Sequence, residues 1–280
     1  MTPDAPPDLP FAKMSGGGND FILLDERRAA AGQEGPELAR ALCRRARSVG
    51  ADGLILVRPS RGADLAMVYL NADGSRAFCG NGALCTARWA HKEAGLPPDL
   101  SLETDAGILS LCVRGDRVEM QVPSPGDWRE GIALAPAGLE GEGIHLNTGC
   151  PHLVVLGSSL LDDGAFAAAA PILRRHPDLG AAGANVDFVA VEDPHRLALR
   201  TFERGVEGET LASGTGCLAA ALAAASRALV VSPVTCLPRG GQALTVRFRG
   251  QGPALANISL EGEARLIYTG LVGPGAFAAG

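Results

Sequence analysis

Two short stretches of this chain carry residues placed for chemistry, and they read as one phrase written twice. Residues 74–90 are GSRAFCGNGALCTARWA and residues 208–224 are GETLASGTGCLAAALAA. Without a gap, Gly74 aligns with Gly208, Gly80 with Gly214, Gly82 with Gly216 and Ala87 with Ala221, and Cys79 falls opposite Ser213. Each copy predicts a glycine-rich turn opening into an Ala/Leu-rich helix. A thiol at a helix start meets backbone N–H groups that lack intrahelical acceptors and the positive end of the helix dipole. Both favour the thiolate. The N–H groups of Gly80, Asn81 and Gly82 can hold a carboxylate there, and glycine lets one come close. Ser213-Gly-Thr-Gly offers the same cradle. A duplicated site suits a reaction that needs one group on each face of a single carbon. The two groups here differ, because a hydroxyl is a far poorer carbon-acid base than a thiol. The commonest role of serine before a helix is an N-cap. For a cysteine the commonest is a small buried apolar residue, against which the repeat and the flanking glycines weigh.

Other polar residues lie near these turns. Glu203-Arg204 precedes the second turn, and His152 follows Cys150-Pro151. A His–Glu pair can set the protonation of a neighbouring nucleophile, and arginine suits bidentate binding of a carboxylate. Asn19, Asn71 and Asn185 lie in turn-like segments, where asparagine usually serves the backbone. Cys217 lies one helical turn beyond Ser213 and reads as helix packing. Cys43, Cys85, Cys112 and Cys236 have no metal-ligand spacing, so no metal site is expected. His91, His145, His176 and His195 have no partner nearby in sequence and read as exposed. The Gly16-Gly17-Gly18 run precedes a strand rather than a helix, which argues against a dinucleotide fingerprint.

The repeat extends to the elements that must position these turns. Gly50-Ala-Asp-Gly-Leu-Ile-Leu-Val and Gly183-Ala-Asn-Val-Asp-Phe-Val-Ala-Val both read as a loop entering a strand. Lys13-Met-Ser-Gly-Gly-Gly-Asn-Asp-Phe corresponds to Leu146-Asn-Thr-Gly-Cys-Pro-His. Each half therefore runs loop–strand, helix, loop–strand, strand, glycine turn, helix, then strands. Apolar spacing predicts the first helix over Glu37 to Ala46, started by Pro36, and its counterpart near Phe166 to Arg175. Alternation at Arg196-Leu-Ala-Leu-Arg-Thr-Phe and Leu244-Thr-Val-Arg-Phe-Arg predicts half-exposed antiparallel strands. Pro123-Ser-Pro-Gly-Asp carries the densest turn signal near the centre. The expected domains are 1–122, completed by a C-terminal strand within 264–280, and 123–263.

With 280 residues and 46% hydrophobic content, the chain can build a sizeable core. A net charge of -6 gives no electrostatic footprint for nucleic acid. No apolar run is long enough to span a membrane. The start, MTPDAPPDLP, has neither the basic nor the apolar region of an export signal and reads as a solvated tail. Seven cysteines without a Cys-x-x-Cys pair suggest reduced thiols and a cytoplasmic location.

Seven ordered motifs together resemble the diaminopimelate epimerase family, cofactor-independent amino-acid epimerases. They are Lys13-Met-Ser-Gly-Gly-Gly-Asn-Asp-Phe, Asn71-Ala-Asp-Gly-Ser, Cys79-Gly-Asn-Gly, Thr148-Gly-Cys-Pro-His, Asn185-Val-Asp-Phe, Glu203-Arg-Gly-Val and Glu209-Thr-Leu-Ala-Ser-Gly-Thr-Gly. The resemblance runs from Phe11 to about Val272. It implies an α/β (α+β) fold of two similar pseudo-symmetric domains. Each would be a curled, mostly antiparallel sheet around a central helix, with the active site in the cleft between them. It implies two-base α-proton transfer between LL- and meso-diaminopimelate, without pyridoxal phosphate, other cofactor or metal. By motif, Cys79 is one base, position 213 is the second, and His152 and Glu203 assist. Asn19, Asn71, Asn185 and Arg204 would bind the distal end of the substrate. Gly80, Asn81, Gly214 and Thr215 would hold the reacting carboxylate. A small amino acid is the expected partner, and family members often form homodimers.

Three positions depart from the family pattern. Ser213 stands where the family has cysteine, which implies impaired epimerisation. Cys150 stands where some members carry asparagine, which implies a lost contact to the distal end of the substrate. Leu84 replaces a frequent arginine. The alternatives to an impaired epimerase are a natural one-thiol relative, acting as racemase, dehydratase or isomerase on another amino acid, and a non-catalytic amino-acid-binding homologue.

Overall fold

The computed structural model describes residues 9–27, 35–250 and 255–277; of the stretch expected to be a solvated tail, residues 1–8 lie outside this range, whereas Leu9 and Pro10 open a strand and Leu9 is buried in the core. The chain divides into two compact units, Met1–Met120 with Gly262–Gly280, and Gln121–Glu261.

The first unit is built from β1 (Leu9–Gly16), β2 (Asn19–Asp25), α1 (Gly35–Leu42), β3 (Gly53–Arg58), β4 (Leu65–Asn71), β5 (Arg76–Ala77), α2 (Gly80–Lys92), β6 (Asp99–Thr104), β7 (Gly107–Arg114) and most of β8 (Arg117–Val122). The second has β9 (Gly126–Ala133), β10 (Glu142–Asn147), β11 (Pro151–Gly157), α3 (Asp163–Arg174), β12 (Asn185–Asp193), β13 (Arg196–Glu203), β14 (Gly208–Thr210), α4 (Gly214–Ser226), β15 (Val234–Pro238), β16 (Leu244–Arg249) and the start of β17 (Ala256–Val272). The end of β17 pairs with β1 in the first unit.

The pairing rules of the two units are the same. β1–β2 and β10–β11 are antiparallel; β2–β3 and β11–β12 are parallel. β3–β4 and β12–β13 are antiparallel, while β4–β6 and β13–β15 are parallel. A mostly antiparallel sheet with two parallel joints thus curls around one helix in each unit: α2 touches β1, β2, β3, β4, β6 and β7, and α4 touches β10, β11, β12, β13, β15 and β16.

Small side chains allow this enclosure. From Gly216 to Ala225 every residue of α4 is buried, and most are alanine or glycine, so strands approach on all sides. Leu218 and Leu222 fill the remaining space, each stabilising by roughly 1.5–3 kcal/mol. α1 and α3 cover the opposite sheet faces. Leu38, Ala39 and Leu42 pack on Ile22, Leu24, Leu54 and Leu56. Phe166, Ala169, Ala170 and Leu173 pack on Leu153, Val186, Phe188 and Phe202.

Several expectations need correction. The first helix ends at Leu42 rather than Ala46. Beyond it the Gly50 and Ala51 N–H groups donate to Leu42 and Cys43 carbonyls, and Ala46 turns left-handed at φ 63. β13 is buried along Leu197–Phe202 instead of half-exposed, because α3 and α4 both pack on it. There Arg200 lies 4.1 Å over the Phe166 ring, its charge met by Glu209 at 2.7 Å. His145 and His176 are buried, not exposed. His145 Nε2 is 3.0 Å from Asp127, and His176 Nδ1 accepts the Asp178 N–H at 3.2 Å. Among the described residues no helix is long and apolar enough to cross a membrane.

Candidate functional site

The two glycine turns adopt the same backbone. Cys79 caps α2 at φ -137, ψ 111, and Ser213 caps α4 at φ -143, ψ 109. Cys79 Sγ accepts the Gly82 N–H at 3.4 Å, and Ser213 Oγ accepts the Gly216 N–H at 3.2 Å. Gly80 and Asn81, like Gly214 and Thr215, occupy the first helical turn. There N–H groups have no intrahelical acceptor and point toward any anion at the cap.

In the first unit, Asn81 and Asn19 come together. Asn81 Nδ2 donates to Asn19 Oδ1 at 3.0 Å and to the Gly17 carbonyl at 3.2 Å. Asn19 Nδ2 donates in turn to Asp52 at 3.1 Å. Lys13 and Arg45 converge on the same corner: Lys13 reaches Asp20 at 2.7 Å, and Arg45 reaches Asp52 at 2.7 Å. Although burial opposes it, hydrogen bonds and charge from Arg45 and Lys13 hold Asp20 down to about 2. Asn71 serves its own turn, donating from Nδ2 to Ser75 Oγ at 3.0 Å.

The second unit carries a buried polar relay. His152 Nδ1 lies 2.6 Å from Asp187 Oδ2, and Thr201 donates to Asp187 Oδ1 at 2.7 Å. His152 and Asp187 are both wholly buried. Burial alone would lower His152, but Asp187, by charge and hydrogen bond, and Cys150 raise it to about 10. The far nitrogen, Nε2, is 3.2 Å from Cys150 Sγ. Around that sulfur, Thr215 Oγ1 lies at 3.3 Å and Asn185 Nδ2 at 3.4 Å. Against the pull of burial, His152 and Thr215 bring the Cys150 thiol below its ordinary value.

The same register positions in the first unit are apolar. Ile55 faces Tyr69 across β3–β4 as Asp187 faces Thr201 across β12–β13. Phe21, two residues before the partner of Ile55, stacks edge-on against Tyr69 at 5.9 Å. His152 stands two residues before the partner of Asp187. The glycine one turn into each helix records the difference. A Cβ at Gly82 would meet Ile55 Cδ1 at 3.4 Å, whereas one at Gly216 would meet Asp187 Oδ1 at 2.6 Å.

The relay alters the expected assignments. The carboxylate bonded to His152 is Asp187, not Glu203. Glu203 stands by the Ser213 hydroxyl, and burial raises its carboxyl against the pull of Ser213 and the His152 charge. Asn185 is already engaged: its Oδ1 accepts the Arg204 N–H at 2.8 Å, while Nδ2 donates to Cys150. The Arg204 side chain is exposed. Asp187 and Cys150 carried no catalytic expectation from sequence. The only available signal was the spacing Cys-x-His, with an acid two residues after Asn185. Among the described residues no group of three or more His, Cys, Asp or Glu side chains is arranged to hold a metal ion.

Comparison with known proteins agrees over nearly the whole chain. A family model described as diaminopimelate epimerase matches residues 11–124 and 144–267. A diaminopimelate epimerase of Methanothrix thermoacetophila is 38% identical over 94% of this chain and 96% of its own length. One of Archaeoglobus fulgidus is 38% identical over 83% and 87%. Among solved structures, a phenazine biosynthesis protein of the PhzF family from Bacillus anthracis matches with TM-score 0.71 at 17% identity, covering 95% of this chain and 99% of that one. A probable proline racemase from Agrobacterium radiobacter matches with TM-score 0.65 at 17% identity, covering 97% and 96%. These two likenesses show the fold; the sequence matches show the family. On the paired glycine turns, the shared strand pairing and identity sustained along both chains, this protein belongs to the diaminopimelate epimerase family.

Proposed function

We propose that this protein is an amino-acid epimerase independent of pyridoxal phosphate, which interconverts LL- and meso-diaminopimelate by thiol-mediated transfer of the α-proton. The observation that carries this reading is the Cys79 cap of α2: a half-buried thiol at a helix start, with the Gly82 N–H on its sulfur. A thiolate there abstracts the α-proton, and the first-turn N–H groups hold the carboxylate into which the carbanion charge spreads. Those groups belong to Gly80 and Asn81 at one helix and to Gly214 and Thr215 at the other. Arg204, with Asn19 and Asn71, would take the second carboxylate and the distal amine.

Ser213 cannot be the second base on equal terms. Its hydroxyl is buried and engaged as a cap, and its proton is held far more tightly than that of a thiol. With Ser213 as the only group at the second turn, exchange would proceed from one face with retention, and inversion would be slow. A second thiol, Cys150, lies beside that turn, its sulfur 3.3 Å from Thr215 Oγ1.

Calorimetry against diaminopimelate, glutamate, proline and histidine tests the substrate. Diaminopimelate should bind in clear preference, and its two epimers should interconvert. Binding of proline or histidine instead, with no turnover of diaminopimelate, would remove this assignment.

A further inference from the structure

We infer that Cys150 is the acid/base thiol of the second unit, performing the proton transfer that the family assigns to the residue at position 213. The inference rests on the epimerase reading above and names the residue that completes it.

Cys150 Sγ faces His152 Nε2 at 3.2 Å, Thr215 Oγ1 at 3.3 Å and the Asn185 amide at 3.4 Å. With His152 protonated, as the buried Asp187 behind it dictates, each of these groups can donate a hydrogen bond to a thiolate. The start of α4 adds its positive end, since Thr215 is in the first helical turn and Thr148, two residues before Cys150, donates to the Thr215 carbonyl at 2.9 Å. A cysteine paired with histidine, and the histidine oriented by a carboxylate, is the general arrangement for a thiol active near neutral pH.

Place matters as much as charge. Thr215 Oγ1 lies 3.4 Å from Ser213 Oγ and 3.3 Å from Cys150 Sγ. One hydroxyl therefore separates the Cys150 sulfur from the cap where the family has its second cysteine. Cys150 is half-buried while Ser213 is 5% exposed, so the thiol is the more accessible of the two.

Other thiols are poorer candidates. Cys217 is wholly buried, and contact with Cys236 together with burial raises it well above an ordinary thiol. Burial pushes Cys43 up to about 11 and also raises Cys85, and Asp99 raises Cys112. Cys150 moves the other way.

The step balances without a further reagent. The Cys150 thiolate takes the α-proton, so an S–H bond forms as the C–H bond breaks. The electron pair stays on the α-carbon and spreads into the carboxylate. The Cys79 thiol then gives its proton to that carbon, and its S–H electron pair remains on sulfur. The opposite epimer runs the steps in reverse.

The test uses the full chain with Cys150→Ser, Cys150→Ser/Ser213→Cys and Cys112→Ser. Interconversion of the diaminopimelate epimers and α-deuterium uptake in heavy water are followed together. Cys150→Ser should slow interconversion by roughly 10²–10⁴-fold, the range for loss of a positioned general acid/base. Deuterium uptake through Cys79 should survive for one epimer. Ser213→Cys in that background should restore interconversion, which also proves the single variant folded, and Cys112→Ser should match the parent. Interconversion by Cys150→Ser at the parent rate overturns the inference, as does a folded Cys150→Ser chain that Ser213→Cys fails to rescue. A substrate-independent arm separates this from failure of the function. Brief alkylation mapped by mass should label Cys150 and Cys79 before the other five thiols, with Cys150 slowed in Asp187→Asn. If the parent neither binds nor turns over diaminopimelate, the functional reading falls, and labelling of Cys150 no faster than Cys112 then overturns the thiol assignment on its own.

Discussion

His152 and Asp187 meet through Nδ1 and Oδ2 at 2.6 Å, and neither side chain is exposed to water. A charged pair in that setting is costly to form and costly to break. Here the remaining carboxylate oxygen accepts from Thr201 and the remaining imidazole nitrogen faces the Cys150 sulfur, so both ends of the pair are satisfied. The corresponding positions in the first unit are Ile55 and Phe21, fully buried and apolar. One frame thus holds a hydrocarbon cluster behind Cys79 and a proton relay beside Ser213.

This pair gives stability a pH dependence of definite sign. His152 is raised in the folded state from 6.5 to about 10. Its contribution is therefore complete below pH 6.5 and is lost as pH rises from there through about 10. A depressed thiol contributes with the opposite sign, so the measurement belongs in Cys150→Ser. Because Cys150 itself helps to raise His152, the upper limit in that variant falls below 10; urea unfolding should show stability falling as pH rises from 6.5 toward that limit, and Asp187→Asn should flatten the slope while costing about 3–5 kcal/mol at neutral pH. A slope unchanged by Asp187→Asn would show that another group titrates.

The two helix glycines should tolerate alanine differently. At Gly216 a Cβ would stand 2.6 Å from Asp187 Oδ1 and 3.1 Å from Ser213 Oγ. Gly216→Ala should displace the carboxylate and destabilise by about 1–3 kcal/mol, with loss of activity. At Gly82 the nearest atom is Ile55 Cδ1 at 3.4 Å, an ordinary contact. Gly82→Ala should stay within about 1 kcal/mol of the parent, as intrinsic helix propensity favours alanine over glycine by a similar amount. Equal thermal shifts for the two variants would contradict the asymmetry.

Ser213→Ala separates capping from chemistry. Loss of the bond to the Gly216 N–H should cost about 0.5–2 kcal/mol of stability. Because Cys150 carries the proton, kcat should change by only a few-fold. A drop in kcat comparable to that of Cys150→Ser would return the acid/base role to the hydroxyl.

Cys79→Ser should abolish interconversion and, with it, deuterium uptake by the epimer that Cys79 deprotonates. Deuterium uptake by the other epimer, through Cys150, should persist. Loss of both exchanges together, in a chain with native circular dichroism, would argue that the two thiols do not act on separate epimers.

Much of this was legible in the chain as written. The Cys79-Gly-Asn-Gly and Ser213-Gly-Thr-Gly turns determine two helix starts, because the thiol and the hydroxyl each take up an N–H of the first turn that no helix carbonyl can reach. Repeated strand and helix patterns determine the order of elements in both units, since apolar periodicity records which faces are covered. The residue types at 79 and 213 determine that one cap is a thiol and the other a hydroxyl. Only the tertiary structure decided what stands beside those caps. His152 and Asp187 are 35 residues apart and Cys150 and Thr215 are 65 apart; parallel pairing of β11 with β12 and the seating of α4 bring them together. Nothing local marks Asp187 as different from an exposed strand acid, because burial on both faces of β12 is a property of the helices that cover it. The same holds for His145, His176 and β13, whose polar residues looked exposed until the surrounding elements closed over them. Chain order fixes the local conformations that short-range sterics control. Which charges share a dry interior is set by contacts between distant segments, and in this protein those contacts gather His152, Thr215 and Asn185 around the Cys150 sulfur.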